Sequence, residues 1–308
     1  MLYTTLMTLS RIIRLLPYDL LLFLGKIFGH LYYLLVKKQR ERAVAQMMPA
    51  LNISEAEARR LVKLSFINLA RNMFDILYMP NLNEKNLSQY IEIEHLERMR
   101  AALLEGNGVV VLTGHIGTWE WLSAAFTLNG LPVTAIAKLQ PNAEYSRALD
   151  DLRATIHVEI FNRGTNELRA AGRALKDGKI LGFLADQDAG PGGAFIKFLG
   201  RTASTPMGPA VFSRRFGAPV LPAFIIRKAD GRHLVKIGEV MHFEDTGDTD
   251  ADLLRFTEKM TKILEQTIRE NPTQWLWFQK RWNTPPEMQK TNKHHTVRVR
   301  KRASEENK

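Results

Sequence analysis

From about residue 108 the chain alternates in period. Short apolar runs at 109–112, 133–137, 156–160, 180–184 and 220–226 are separated by stretches of helical spacing at 119–128, 144–154, 166–176 and 207–216. Consecutive apolar residues suit strands buried on both faces, and the 3.6-residue pattern between them suits the helices that bury them. The chain is therefore expected to form an α/β fold, with a mainly parallel central sheet covered by helices on both faces. A further strand at 233–239 and a long helix at 251–269 extend the pattern, and no internal repeat breaks it. Upstream, Ser54 and Glu57 make a capping box that opens a helical stretch to about Tyr78, where Pro80 stops it.

The amino-terminal region adds a different constraint. Residues 15–36, "LLPYDLLLFLGKIFGHLYYLLV", are long enough to cross a bilayer as a helix, yet they include Asp19, Lys26 and His30. At 100° per residue these fall within about 40° of one another, with Lys37 beside them, as one polar stripe on an apolar cylinder. Such a helix lies in a membrane interface, or spans with its stripe packed on protein or on a polar substrate group. A buried core helix is the plain alternative, but Tyr32, Tyr33 and the basic flank of Lys37, Lys38, Arg40 and Arg42 suit an interface better. That flank stands where a signal peptide would carry a small-residue cleavage site, and it favours the cytoplasmic side. Three segments are expected: a membrane-anchoring helix with its basic flank at 1–42, an α/β domain with a helical amino-terminal part at 43–286, and a flexible basic tail at 287–308.

Composition narrows the partners. The absence of cysteine excludes disulfides, thiolate metal sites and a cysteine nucleophile. A formal net charge of +11 favours a polyanionic partner: nucleic acid, an anionic membrane, a phosphorylated substrate or an acidic carrier protein. Apart from two clusters, the Lys and Arg residues are spread along the chain without a recognisable binding module, so nucleic acid is not expected.

Ligands of open parallel sheets bind beyond the carboxyl ends of the strands. In "VVVLTGHIGTWEW", His115 stands just past the first clear strand, between Gly114 and Gly117. Five helical positions would put Glu120 about 140° from it, so the two side chains meet only if the chain turns between them. The Glu120 carboxylate would then accept a hydrogen bond from one imidazole nitrogen and leave the other as a general base. Spacing alone leaves equal room for a buried histidine beside a first-turn glutamate that favours the helix dipole. Trp119 and Trp121 flank Glu120, and at least one is expected to pack the helix. No Gly-x-Ser-x-Gly elbow, two-histidine zinc helix or phosphate-binding P-loop occurs. What remains is a base that activates a hydroxyl for direct attack on an activated carbonyl.

A second cluster is "LADQDAGPGGAFIKFLGRTASTPMGPA". Asp186 and Asp188 follow the run at 180–184, where they could orient a cation, accept a hydroxyl proton or hold a divalent metal. The alternative is a capped turn before Gly-Pro-Gly-Gly. Thr205 followed by Pro206 reads as a helix start with free amides for a phosphate or carbonyl oxygen. Arg163, beyond 156–161, suits a phosphate or a developing oxyanion, although a loop arginine can equally be solvated.

Taken together and in order over 15–286, "GHIGTWEW", "LADQDAG", "FLGRTASTPMGPA" and "QWLWFQKRW" resemble the late acyltransferases of lipid A biosynthesis, in the lysophospholipid acyltransferase superfamily with its His-x4-Glu signature. The resemblance implies transfer of a fatty acyl chain from acyl carrier protein, as co-substrate, to a hydroxyl of an acyl chain on the lipid A precursor. It implies a site on the cytoplasmic face of the inner membrane, among its lipids, with no metal or other cofactor. It makes His115 the general base and Glu120 its partner, with Arg163, Asp186 and Asp188 binding substrate or stabilising the transition state. One departure stands out: the family pattern has tryptophan, any residue, histidine and two arginines where this chain has Trp277, Phe278, Gln279, Lys280 and Arg281. The competing readings are glycerophospholipid acylation from acyl-CoA, a metal-dependent membrane glycosyltransferase using Asp186 and Asp188, and a non-enzymatic basic membrane-binding protein.

Overall fold

The computed structural model describes residues 1–137, 141–162 and 165–289. Four helices come first: α1 (Leu2–Ile13), α2 (Tyr18–Leu35), α3 (Lys37–Leu51) and α4 (Glu55–Tyr78). The short α5 (Leu87–Tyr90), strand β1 (Ile91–Glu94) and α6 (Leu96–Leu104) lead into the alternating region. There β2 (Val109–Thr113), α7 (Trp119–Thr127), β3 (Val133–Ala137), α8 (Ala143–Ala154), β4 (Glu159–Asn162), α9 (Thr165–Lys176) and β5 (Ile180–Leu184) follow in turn. A hairpin of β6 (Ala194–Phe198) and β7 (Arg201–Thr205) precedes α10 (Gly208–Phe216), β8 (Val220–Arg227), β9 (His233–Ile237) and α11 (Thr249–Glu270).

Seven strands form one sheet in the order β1-β9-β8-β2-β5-β3-β4. Every neighbouring pair is parallel except β8 with β9, so the sheet is mixed but mostly parallel. Every residue of β2 and β8 is buried, as their uninterrupted apolar runs require. Strand alternation divides β2 between two cores. Val110 and Leu112 pack with Met47, Ala210 and Leu264, whereas Val109 and Val111 pack with Trp121, Phe126 and Leu152.

Several elements depart from the sequence expectation. The strand placed at 156–160 forms instead at Glu159–Asn162, because α8 runs on to Ala154 and the backbone turns at His157, where φ is 59°. Thr205 does not open a helix. It is the last residue of β7, paired with Ala194, and α10 begins only at Gly208. The cause is the two-residue turn Leu199–Gly200, whose φ values of 49° and 83° suit a tight hairpin and commit 201–205 to the returning strand. Strand β1 was not anticipated: four residues at a sheet edge are too few to show a period.

The helix expected over 15–36 forms as α2, beginning after Pro17 and ending at Leu35, and a separate helix α1 precedes it. Leu21, Gly25 and Gly29 form the buried row of α2 against α4, and a Cβ on Gly29 would stand 2.4 Å from the Ile67 Cα. Only glycine permits that approach. The polar stripe lies about 120° round the helix from this row, with Asp19 and Lys26 exposed and His30 half-buried. A third sector exposes Phe23, Ile27, Phe28, Leu31, Leu34 and Leu35. No single described helix is long and apolar enough to cross a membrane; α2 and α3, bent by 93°, reach that length and composition only as a pair. Residue 42 falls inside α3, whose Ala43, Val44 and Met47 join the core under the sheet. From residue 290 onward, the tail expected to be flexible lies outside the described residues.

Candidate active site

The register of two parallel strands builds the site. Thr113 of β2 pairs with Leu184 of β5, so two residues further along both chains His115 and Asp186 face each other beyond the carboxyl edge. Asp186 is fully buried and the His115 side chain is 14% exposed. His115 Nδ1 stands 2.8 Å from Asp186 Oδ1, and the His115 backbone N–H donates to Oδ2 at 2.9 Å. Trp275 Nε1 at 2.7 Å and Gln279 Nε2 at 3.2 Å donate to the same Oδ2.

The charge state of Asp186 decides the tautomer of His115. Burial by itself would raise the Asp186 carboxyl, but His115 and the converging donors outweigh it and hold the group below its ordinary value. An ionised carboxylate only accepts, so Nδ1 carries the proton and Nε2 presents its lone pair. The exposed Gln187 amide sits 3.3 Å from that Nε2 and donates to it. Burial likewise pulls the His115 value down, yet Asp186 reverses this and the net shift is upward.

The loop carrying His115 is rigid. Ile116 bridges to Trp275, and the Gly117 N–H donates to Gln274 O at 2.9 Å. At Gly117 φ is +57°, and a Cβ would stand 1.9 Å from Ile225 O, so this position admits only glycine.

Glu120 is near this site but is not the residue bonded to the imidazole. It lies in the first turn of α7, where its carboxylate receives Arg153 Nε at 2.8 Å and Nη2 at 2.7 Å from α8, together with Trp119 Nε1 at 3.2 Å. The physical reason is direction. The turn at Gly117 and Thr118 points Glu120 toward α8, while the parallel register already places a carboxylate opposite His115. The expected hydrogen bond therefore runs to Asp186, and the expected Glu120 partner of His115 is a partner of Arg153.

Asp188 is not brought to His115 either. Its oxygens accept from the Gly190 N–H at 3.0 Å, the Thr284 hydroxyl at 2.7 Å and the Thr284 N–H at 3.0 Å, which is the capped turn of the alternative reading. Asp186 and Asp188 are thus committed to different partners, and among the described residues no group of three His, Asp or Glu side chains is arranged to hold a metal ion. Thr205 is equally occupied: its hydroxyl accepts from Arg281 Nη2 at 2.7 Å. Arg163 lies outside the described residues.

The two tryptophans separate. Trp121 is wholly buried and donates to Asp75 O at 2.9 Å, while the Trp119 ring lies 5.0 Å from the His115 ring, edge to face. Sequence reasoning did not single out Gln187, Trp275, Gln279 or Arg153. Gln279 stands where the family pattern has histidine, and it supplies Asp186 with a neutral N–H in that place. Its presence in "QWLWFQKRW" was the available signal; Arg153 offered none, because nothing local distinguishes it from a surface arginine of α8.

Over 275 residues the chain is 26% identical to the lipid A biosynthesis palmitoleoyltransferase of Escherichia coli (strain K12), covering 88% of this chain and 87% of that protein. It is 24% identical over 284 residues to the lipid A biosynthesis lauroyltransferase of the same organism, covering 88% of each. A phosphatidylinositol mannoside acyltransferase of Mycolicibacterium smegmatis (strain ATCC 700084 / mc(2)155) is 23% identical over 226 residues, 72% of each chain. The profile of the bacterial lipid A biosynthesis acyltransferases matches residues 2–284, nearly the whole chain, and the chain belongs to that family.

Proposed function

We propose that this acyltransferase moves a fatty acyl chain from acyl carrier protein to a hydroxyl of an acyl chain on the lipid A precursor, by direct attack with His115 as general base. The observation that carries this reading is the His115–Asp186 pair, which fixes the proton on Nδ1 and turns the basic Nε2 to the exposed edge of the sheet. As the acceptor hydroxyl attacks the thioester carbonyl, its proton passes to Nε2. The tetrahedral intermediate then collapses, the carbon–sulfur bond breaks, and the imidazolium returns the proton to the leaving thiolate. A positioned base of this kind supplies roughly 10² to 10⁴ in rate, and positioning with oxyanion stabilisation supplies the rest. Arg163 is assigned to the oxyanion or to a substrate phosphate. Asp186 orients the base, and Asp188 anchors the segment at Thr284.

The substrates suit the surface. A chain of net charge +11 attracts an acidic carrier, an anionic glycolipid and an anionic bilayer. The exposed apolar sector of α2 lies in the cytoplasmic interface of the inner membrane, at the depth where acyl chains are reached. Likeness to phosphatidylinositol mannoside acyltransferases favours one second reading, a sugar hydroxyl on a phospholipid as acceptor. Mass spectrometry of total lipids from cells with and without the protein separates the two. A lipid A species heavier by one acyl group, present only with the protein, is the expected result; an added acyl group on a glycerophospholipid or its glycoside with lipid A unchanged would overturn it.

A further inference from the structure

Beneath the catalytic loop lies a second polar cluster that the chemistry above does not use. Asp75 of α4, Arg227 at the end of β8 and His233 at the start of β9 are 1%, 6% and 0% exposed. Arg227 Nη2 pairs with Asp75 Oδ2 and also donates to Asn72 Oδ1 and to Thr118 Oγ1, both at 3.0 Å. The Thr118 hydroxyl donates in turn to Asp75 Oδ2 at 2.7 Å. From α2, Tyr18 OH donates to Asp75 Oδ1 at 2.8 Å and accepts from Arg227 Nη1 at 3.1 Å. Burial would raise the Asp75 carboxyl, but Arg227, His233 and Thr118 overcome it and keep the group ionised.

These groups grip the backbone next to the base. Asn72 Nδ2 donates to Gly117 O at 2.6 Å, two residues past His115. On the other side of that residue, Gly117 N–H donates to Gln274 O, and the Gln274 side chain pairs twice with the Arg227 backbone, at 2.8 and 2.9 Å. Both peptide groups of Gly117 and the hydroxyl of Thr118 are therefore tied to α4, β8 and the segment before Trp275. A buried ion pair is a poor source of stability compared with apolar packing of the same volume. What it does supply is direction, because several hydrogen bonds from different elements converge on the same few side chains.

We propose that Asn72, Asp75, Thr118 and Arg227 are positioning residues for acyl transfer, holding the Gly117–Thr118 backbone so that the His115 imidazole meets both Asp186 and the acceptor hydroxyl. Tyr18 extends the same set to α2, the helix with the exposed apolar sector. The proposal rests on His115 being the base. Displacement of a catalytic group by about 1 Å costs on the order of 10² in rate.

The test compares Thr118→Val, which keeps the shape and removes the hydroxyl, with Thr118→Ser, Asn72→Ala and His115→Ala in purified full-length enzyme. Thr118→Val is expected to lower kcat by roughly 10- to 100-fold with KM within about twofold and the fold intact by circular dichroism, and Thr118→Ser to recover most of the loss. Asn72→Ala, which withdraws the donor from Gly117 O, is expected to show the same split between kcat and KM. A folded Thr118→Val or Asn72→Ala enzyme with kcat within about twofold of the parent overturns the proposal. So does a Thr118→Ser enzyme no better than Thr118→Val, or failure of both Thr118→Val and Asn72→Ala to fold, which makes the cluster structural only. Activity surviving in His115→Ala removes the underlying base assignment instead.

Discussion

Replacing Asp186 by Asn exchanges one heavy atom and, on this account, inverts the tautomer of the base. Oδ2 accepts three donors, from the His115 backbone, Trp275 and Gln279, whereas Oδ1 accepts only from His115 Nδ1. An amide has one acceptor oxygen, and three buried N–H groups demand it at the Oδ2 position. The new NH₂ group must then face Nδ1 and donate to it. The imidazole proton moves to Nε2, which can no longer act as a base. In a serine protease the corresponding loss of tautomer control lowers kcat about 10⁴-fold. The His115 site depends on the same geometry, so a fall of ~10³ to 10⁴ is expected, about 4 to 5.5 kcal/mol at 1.36 kcal/mol per decade. Because substrate contacts are unchanged, KM stays within a few-fold. Initial-rate measurements with acyl carrier protein thioester and lipid A precursor in mixed micelles read both constants, with circular dichroism to confirm the fold. A folded Asp186→Asn enzyme within tenfold of the parent kcat would refute the tautomer argument.

Since Asp186 raises the His115 value, kcat/KM should climb with pH through an apparent pKa above the ordinary ~6.5 of histidine, and in Asp186→Asn any residual activity should titrate lower. For stability the sign is the reverse: the imidazolium–carboxylate contribution is present below about pH 6.5 and is lost as pH rises through the folded value, which pH-dependent urea titration measures. Arg153→Met leaves the Glu120 carboxylate, 10% exposed, without its guanidinium, and should cost roughly 3 kcal/mol by urea titration; because the Glu120 charge also acts on the imidazole, the pH limb of the remaining enzyme should move up. A loss under about 1 kcal/mol, or a limb moved down, would contradict the pairing of Glu120 with Arg153.

The parts of the fold legible in sequence were those written in local pattern. Strands Val109–Thr113, Val133–Ala137 and Ile180–Leu184 coincide with the mainly apolar runs, and the Ser54 cap on Glu57 is present at 3.3 Å. The hairpin at Leu199–Gly200 escaped because a leucine at positive φ carries no turn signature, and its backbone N–H is satisfied only by distant Glu265. The site divides in the same way. The placement of His115 beyond the β2 edge follows from one segment, but the carboxylate it meets does not. Residue 186 is 71 positions away, and only the register of β2 with β5 reveals that it faces residue 115. Glu120, five positions from the histidine, was the natural local candidate. Its assignment to Arg153 depends on α8 bringing a residue 33 positions away beside it, which no local pattern encodes.

His115→Ala tests the central claim most directly, because it removes the proposed base and leaves the buried Asp186, the loop and the amino-terminal helices in place. Transfer of a labelled acyl group from acyl carrier protein to lipid A precursor is measured with purified, lipid-reconstituted enzyme, beside circular dichroism and flotation with anionic vesicles. The account predicts a folded, vesicle-bound protein whose transfer rate falls by at least ~10³. A folded, vesicle-bound His115→Ala protein with near-normal turnover would contradict general base catalysis by this residue.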